Sequence, residues 1–277
     1  MPPAARRVRT RSYDPARSRA ALAAQAEALR SAVHSLCTAA GAEQRLAGPT
    51  RLGEWRVREL LAHLGSAFDA VSDNLGLPAG EGAPLSPTDW VAATRTQAPA
   101  IGALAQQRAE RVFDGTPAEV AAALDAAIDR CLKALGEEYA PGLCLPTRFG
   151  PMLFSDFLVT RLVETVVHAD DLADALGEVV RHDRQALAAV TRLLADSLAL
   201  QAPGGAVELR IPPFAVVQCV QGPRHTRGTP PNVVETDPLT WIRLATGRQG
   251  WAQALDVAQL TASGERSDLS PLLPVMG

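Results

Sequence analysis

Residues 161–171 read RLVETVVHADD, and the interpretation of the whole chain starts from this segment. In a helix, four of its polar residues fall at intervals of three, four and three positions on one face: Arg161, Glu164, His168 and Asp171. A carboxylate and an imidazole on one face are suitable metal ligands. The spacing by itself is a weak signal, because roughly one chain in four of this composition has a Glu four residues before a His by chance.

A second histidine, far upstream, is the candidate that would complete such a site. His63 lies in the stretch ELLAHLGSAF, residues 59–68, whose other residues are mostly apolar at helical spacing. With Glu164 and His168 it would supply three protein ligands and leave one position open, which is the arrangement of catalytic zinc sites. The alternative is an ordinary core histidine, since a buried polar group needs a hydrogen-bond partner but not a metal.

The composition limits the classes of partner. The chain has 277 residues, a formal net charge of -3 and a pI near 6.0, which argues against nucleic acid or an anionic membrane surface as the main partner. Residues 1–15 predict a disordered Arg-rich tail and not a secretory signal, because no apolar run follows them. No stretch reaches the roughly 18 apolar residues of a membrane span. We therefore expect a cytoplasmic monomer that binds small molecules, with scattered, reduced cysteines at Cys37, Cys131, Cys144 and Cys219.

Residues 16–178 have the pattern of a helical bundle. They are rich in Ala and Leu, with apolar residues three and four apart and Pro or Gly between segments. Gly177 is a suitable residue to end the last helix. The pattern predicts helices at 16–40, 56–75, 88–111, 117–139 and 155–176. Four of them are long enough for a four-helix bundle, inside which His63 would face Glu164 and His168.

Residues 179–277 predict a small α+β domain. After a helix at 184–200, the β-branched runs 207–211 and 214–220 predict neighbouring strands. An extended piece at 233–235, a helix from Pro238 and a tail rich in Leu and Pro complete the domain. The loop 222–232 contains His225 between two arginines, and a solvated polar loop is a more common outcome for such a segment than an anion site.

Two pairs of motifs carry a family resemblance. The segment RLGEWRVRELLAHL, with Trp55 eight residues before His63, combined with R-x-x-E-x-x-x-H-x-x-D at 161–171, resembles the mycothiol-dependent maleylpyruvate isomerase family. That family belongs to the DinB-like group of metal-dependent thiol transferases. The runs VETDPLTWIRLATGR and ASGERSDLSPLLPV resemble the sterol-carrier-type domain that follows such bundles. The resemblance therefore implies a DinB-like four-helix bundle followed by a sterol-carrier-like α+β domain.

The resemblance also implies a metal, a co-substrate and an activity. His63 matches the ligand on the second bundle helix, and Glu164 and His168 match the two ligands on the last, with zinc as the usual metal. Mycothiol is the implied thiol co-substrate, and a dication would convert its thiol into a thiolate nucleophile. The implied activity is isomerisation of, or S-transfer to, a small and acidic electrophile in an actinobacterium.

Three further residues have roles with open alternatives. Asp171, one turn beyond His168, either orients a ring nitrogen of that ligand or caps a surface charge. Arg161 either binds the thiol cofactor or forms a salt bridge, with Asp171 or on an exposed helix surface. The resemblance assigns Arg248 to holding an acidic substrate, and an exposed surface arginine is the alternative.

A second class of function is open as well. Sterol-carrier folds hold apolar ligands, so the chain would then be a lipid- or ligand-binding protein whose metal site is not catalytic. The two classes differ at the metal, because a catalytic site keeps one position open whereas a structural site is closed by a fourth protein ligand.

Overall fold

The computed structural model describes residues 11–94, 98–223 and 230–276. Contacts divide them into two units, one made of residues 14–190 and the other of 191–276 together with 11–13. This division falls inside a helix, whereas the sequence places a boundary between 178 and 179, and that boundary stays a prediction. Residues 1–10 of the predicted tail and the central part of the loop around His225 lie outside the described residues.

The helical unit contains, in chain order, α1 (Pro15–Thr38), α2 (Ala42–Leu46), α3 (Val57–Asn74), α4 (Pro87–Thr94), α5 (Ala98–Val112), α6 (Pro117–Leu135), β1 (Cys144–Thr147), β2 (Gly150–Leu153) and α7 (Phe154–Leu176). The division between the units lies within α8 (Arg184–Gln201). The C-terminal unit continues with β3 (Val207–Ile211), β4 (Ala215–Cys219), β5 (Val233–Thr236), α9 (Pro238–Ala245), α10 (Trp251–Asp256), β6 (Leu260–Ser263) and a 3-10 turn at Ser270–Leu272.

Capping residues explain where the helices begin and end. α1 begins after Asp14, whose side chain accepts a hydrogen bond from the first turn, and α6 begins after Thr116, which forms a reciprocal capping box with Glu119. α7 ends at Gly177 in the left-handed conformation (φ 63°), as the sequence predicts. α6 ends at Leu135, four residues before the predicted end, because the glycine that follows at position 136 disfavours continuation of the helix.

The four long helices form a closed bundle. α1 packs against α6 and α7, and α3 packs against the same two helices. α5 adds a further layer against α3. The bundle predicted from the sequence is confirmed. The predicted helix 88–111 is described as α4 and α5, with residues 95–97 outside the described residues. None of the described helices has the length and apolar character of a membrane span.

The C-terminal unit is built on a four-stranded sheet in the order β4-β3-β5-β6. β3 and β4 are antiparallel neighbours, as predicted, and β3 pairs with β5 in parallel. Along β3 the side chains of Val207, Leu209 and Ile211 are buried, whereas the two residues between them are partly exposed. The tail predicted after α9 contains α10, β6 and the 3-10 turn, which the sequence pattern did not indicate.

A hairpin of β1 and β2 separates α6 from α7, where no strand is predicted. Pro146 and Pro151 lie opposite each other in this hairpin, and proline normally argues against a strand because it cannot donate to the ladder. Leu145 and Met152 are fully buried and anchor the two strands. Gly150 has a φ of 131° after the turn, a conformation that favours glycine.

Candidate metal site and its cavity

Helix α7 carries its polar residues into the bundle. Glu164 and His168 are each 8% exposed, and Asp171 is 0% exposed. The predicted shared face is therefore an interior face, which excludes a surface-capping role for Asp171. A charge buried without a partner is strongly destabilising, so each of these groups needs a specific contact.

Helix α3 brings His63 to the same place. Its Nε2 atom lies 2.9 Å from Glu164 Oε2, and Nε2 of His168 lies 3.4 Å from the same oxygen. The two imidazole rings meet edge to face, with their centres 4.6 Å apart. The three side chains that the sequence analysis nominated thus meet across the bundle although His63 is about one hundred residues away in sequence.

Trp55 packs beside both imidazoles. Its ring centre lies 5.2 Å from that of His63 and 6.3 Å from that of His168. Trp55 sits just before α3, where its carbonyl accepts hydrogen bonds from the backbone N–H and the hydroxyl of Thr50. The tryptophan of the motif therefore restricts the orientation of the two histidines.

A buried ion-pair network lies behind His168. Asp171 accepts a hydrogen bond from His168 Nδ1 at 2.8 Å and another from Arg51 Nε at 2.7 Å. Arg51 also donates to Asp170 at 2.5 Å. Arg51 is not among the residues predicted from the sequence. Its available signal was the adjacent pair Asp170 and Asp171 inside an apolar helix, since two buried carboxylates require a cation.

Burial and hydrogen bonding set the charges of the cluster. Burial lowers the pKa of His63 despite its contact with Glu164, which favours the neutral imidazole. Burial opposes ionisation of Glu164, but hydrogen bonds from His168 and His63 hold the pKa of its carboxyl well below its usual range. Burial also opposes protonation of His168, yet Asp171 and Glu164 outweigh it and raise the pKa of this imidazole. An ionised carboxylate and a neutral imidazole are the forms that bind metals.

The donor set suits a divalent metal ion. The ligand atoms of His63, Glu164 and His168 lie within 4.8 Å of one another. The two nitrogen-to-oxygen separations of 2.9 and 3.4 Å are close to the roughly 3.3 Å between two ligands of a tetrahedral zinc ion. Among the described residues no fourth His, Cys, Asp or Glu belongs to this group. Two imidazoles, one carboxylate and an open position form a donor set that zinc accepts.

A cavity of about 760 Å³ adjoins the cluster, with His63, Glu164 and Arg161 in its lining. Arg161 is only 12% exposed, and its ion pair among the described residues is with Glu164 Oε1 at 3.8 Å. Its guanidinium lies 4.9 Å from the ring centre of Phe157, and burial lowers its pKa. Arg161 is therefore not an exposed surface residue, and the guanidinium that holds Asp171 is that of Arg51.

The β1–β2 hairpin forms one wall of the cavity, to which its turn contributes Arg148 and Phe149. Another wall contains Arg108 of α5. Asp69 on α3 binds Arg108 and also accepts a hydrogen bond from Arg130 at 2.7 Å. The sequence analysis identified neither wall, because the hairpin was not predicted and the Asp69 pairs depend on how α3, α5 and α6 pack.

Arg248 is not part of this cluster. It belongs to the C-terminal unit, just after α9, where its guanidinium donates a hydrogen bond to the carbonyl of Thr246 at 2.7 Å. Its assignment to substrate binding stays a prediction.

Two family profiles match the chain. The profile described as the mycothiol maleylpyruvate isomerase N-terminal domain matches residues 22–173, and the profile described as a bacterial SCP ortholog matches residues 183–275. The first contains His63, Glu164 and His168, and the second contains the whole sheet of the C-terminal unit. No curated protein matches the chain significantly.

Solved structures match over nearly the whole chain. Two crystal structures of mycothiol-dependent maleylpyruvate isomerase, one of them a mutant, superpose with TM-scores of 0.59 and 0.60 at 14% identity. Each match covers 94% of this chain and 97% of the other. At this identity the likeness establishes a shared fold.

Proposed function

Because the chain belongs to the mycothiol maleylpyruvate isomerase N-terminal domain family, we propose that it is a metal- and mycothiol-dependent isomerase or S-transferase acting on a small, acidic electrophile. The proposed ligands are His63, Glu164 and His168, and the proposed metal is zinc. The observation that carries the proposal is the meeting of these side chains beside a cavity, with Asp171 behind His168. The source we propose is an actinobacterium.

The neighbours of the three ligands prepare them for this role. Asp171 accepts the Nδ1 proton of His168, so once Nε2 loses its own proton the lone pair of that nitrogen is available for a metal on the side of Glu164. Arg51 donates a hydrogen bond to Asp171 and orients its carboxylate. Trp55 packs beside both imidazoles and restricts their orientation. The site is thus ordered before any ligand arrives, which reduces the reorganisation that binding and catalysis require.

The proposed reaction uses a thiol that the protein does not supply. A divalent ion held by the three ligands would lower the pKa of a thiol and provide a thiolate near neutral pH. Addition of the thiol sulfur to an activated double bond leaves a single bond about which the substrate rotates. Departure of the sulfur then restores the double bond in the trans form, with no atom gained or lost. Arg161 would hold the anionic end of the electrophile beside the site.

Three of the protein's four thiols are poorly suited to this role. Burial raises the pKa of Cys131 to about 12 and that of Cys219 to about 11, so both remain protonated at neutral pH. Burial raises the pKa of the half-buried Cys37 as well. None of the described cysteines belongs to the metal-ligand group. This supports a thiol co-substrate as the nucleophile.

A turnover assay tests the proposal. Zinc-loaded protein is mixed with mycothiol and a panel of maleylpyruvate-like acids and simple electrophiles, and both thiol consumption and isomerisation are followed. We expect turnover that requires the thiol and the metal and that disappears in His168→Ala. The control His34→Ala removes a half-exposed histidine that pairs with Asp125 on the surface and should keep full activity.

The alternative of a lipid- or ligand-binding protein rests on the C-terminal match to a bacterial SCP ortholog. Metal analysis with and without a low-molecular-weight thiol distinguishes the enzyme from the binding protein. Entry of the thiol into the metal's coordination sphere supports the enzyme. Absence of turnover across the panel, together with a metal that no thiol approaches, would favour the binding protein.

A further inference from the structure

The cavity follows one face of α3 away from the cluster. Starting from His63, its lining includes Ser66, Ala67, Ala70 and Asn74, which share a helix face. His63 and Asn74 are eleven positions apart on α3, which corresponds to about 16 Å along the helix axis. The small side chains in the middle of this strip leave space above the helix. The cavity is therefore an elongated channel with the metal cluster at one end.

The other end of the channel has an apolar rim. Leu77 and Leu104 line the cavity and are 52% and 51% exposed. Single exposed apolar residues are common on protein surfaces, but two that line the same end of one cavity indicate a place where an apolar group binds. Trp90 and Phe149 add aromatic surface to the lining.

The charge of the lining is strongly positive. Its ionised side chains are one carboxylate, Glu164, and four arginines, Arg108, Arg111, Arg148 and Arg161. Arg108 shares the carboxylate of Asp69 with Arg130, so its charge is only partly neutralised. Arg161 lies at the metal end, where its ion pair with Glu164 spans 3.8 Å and its Nε donates a hydrogen bond to Thr160 Oγ1 at 3.2 Å. A buried cation whose carboxylate partner among the described residues is this distant favours a ligand that carries an anion.

We propose that, among the acidic electrophiles of the proposed function, this channel favours an elongated monocarboxylic acid with an apolar body over a compact diacid. The carboxylate binds Arg161 near the metal cluster, and the apolar body runs along α3 to the rim of Leu77 and Leu104. The inference rests on the proposed function only in taking this cavity as the site of the electrophile. It names the class of electrophile from the shape and charge of the channel.

Calorimetric titration of the zinc-loaded full chain with unreactive probes tests the inference without any turnover. The probes are butanoate, hexanoate, octanoate and decanoate, with maleate as the compact diacid and decan-1-ol as the uncharged chain. We expect affinity to rise about fourfold for each methylene that enters the channel. Decanoate should bind more tightly than both maleate and decan-1-ol.

Variants locate the binding site. Arg161→Met should weaken decanoate binding by about 10- to 100-fold and leave decan-1-ol binding unchanged, because one charge-assisted contact is lost. Leu104→Ser, an exposed position whose change leaves the fold intact, should weaken decanoate by about fivefold and spare butanoate. The matched controls are Arg17→Met and Leu255→Ser, which alter an exposed arginine and an exposed leucine outside the lining.

Three results would overturn the inference: no rise of affinity with chain length, tighter binding of maleate than of decanoate, or decanoate binding that both cavity variants leave unchanged. The last result would mean that the acid binds elsewhere on the chain. The proposed function fails separately, through absence of thiol-dependent turnover, so the two failures are distinguishable. Thermal unfolding of Arg161→Met checks that the variant is folded, and Leu104→Ser gives an independent answer if it is not.

Discussion

Helix α7 and strand β3 place their polar residues in opposite ways. Along β3, Glu208 and Arg210 alternate with buried apolar residues and pair with each other near solvent, where Arg210 is 36% exposed. Along α7, Glu164, His168 and Asp171 are buried with the apolar residues around them. The strand follows the usual pattern in which apolar side chains are buried and polar side chains face solvent. The helix departs from this pattern because it buries charged side chains, and departures of this kind are expected where a sequence serves function as well as folding.

The ion pairs of the two regions show the same difference. Arg51 and Asp171 are 19% and 0% exposed, and they are bonded to further charged groups. Arg210 and Glu208 form a single pair on the sheet, and their side chains are 36% and 16% exposed. Water screens this partly exposed pair more than the fully buried carboxylate of Asp171, whose charge depends on its partners. The buried network should therefore be the sensitive part of the molecule.

The largest effect is expected at the ligands of α7 and α3. His63→Ala, Glu164→Ala and His168→Ala should each lose stoichiometric zinc, because two ligands do not hold the ion against competing water and chelators. The change His34→Ala should retain it, since that imidazole pairs with Asp125 away from the cluster. Metal content after dialysis against a weak chelator is the measurement. Full zinc content in all three ligand variants would place the metal elsewhere.

The next largest effect is the difference in stability loss between substitutions of Arg51 and Arg210. Arg51→Met removes the guanidinium that pairs with the buried carboxylates of Asp170 and Asp171, and we expect the metal-free protein to lose about 3 to 5 kcal/mol of stability. Arg210→Met should cost less than about 1 kcal/mol. Denaturant unfolding of both variants, followed by circular dichroism, gives the comparison. Equal losses for the two substitutions would remove the distinction between the buried and the exposed pair.

The sequence predicted those features that depend on local periodicity. The spacing of Glu164 and His168 fixes their shared helical face, and the apolar stretch around His63 identifies the facing helix. Gly177 ends α7 where the sequence places the end. The bundle follows because amphipathic helices of this length must bury their apolar faces against one another.

Features that depend on distant contacts were not predictable in the same way. Arg51 reaches Asp171 across 120 residues from a loop whose path no periodic pattern defines. The prolines of the hairpin conceal β1 and β2, because a strand pattern with proline indicates a loop. The charge of the cavity also arises only when Arg108, Arg148 and Arg161 come together from three separate segments. Tertiary packing, and not local propensity, decides each of these features.

A third and smaller effect concerns the pH dependence of zinc affinity. Asp171 and Glu164 raise the pKa of His168 against the effect of burial, so this imidazole takes up a proton at a higher pH than an ordinary histidine. The proton must leave when the ligand binds a metal. Affinity is therefore full above the pKa of His168 and falls about tenfold per pH unit as the pH drops below it. Because burial lowers the pKa of His63, this second ligand competes for a proton only in more acidic solution.

Competition of the protein with a chromogenic chelator, from about pH 8 to pH 5, measures this dependence. Asp171→Asn removes the charge that favours protonated His168, so the fall in affinity should move to lower pH. The same change should weaken binding at high pH by about 10- to 100-fold, because the ring loses its orienting carboxylate. A flat profile for the unaltered chain would contradict the assigned ligands.

The smallest expected effect is a difference in reactivity between one buried thiol of each unit. Cys131 of α6 and Cys219 of β4 are both 0% exposed, and burial raises their pKa values to about 12 and about 11. At about pH 8 their thiolate fractions are roughly 0.0001 and 0.001. With equal access, Cys219 should react faster than Cys131, and both should be slow compared with a free thiol. Alkylation of the native chain followed by peptide mass spectrometry measures the two rates, and denatured protein provides the unprotected reference. Rapid modification of Cys131 in the native chain would show a thiolate inside the bundle, and the nucleophile would then no longer have to come from a co-substrate.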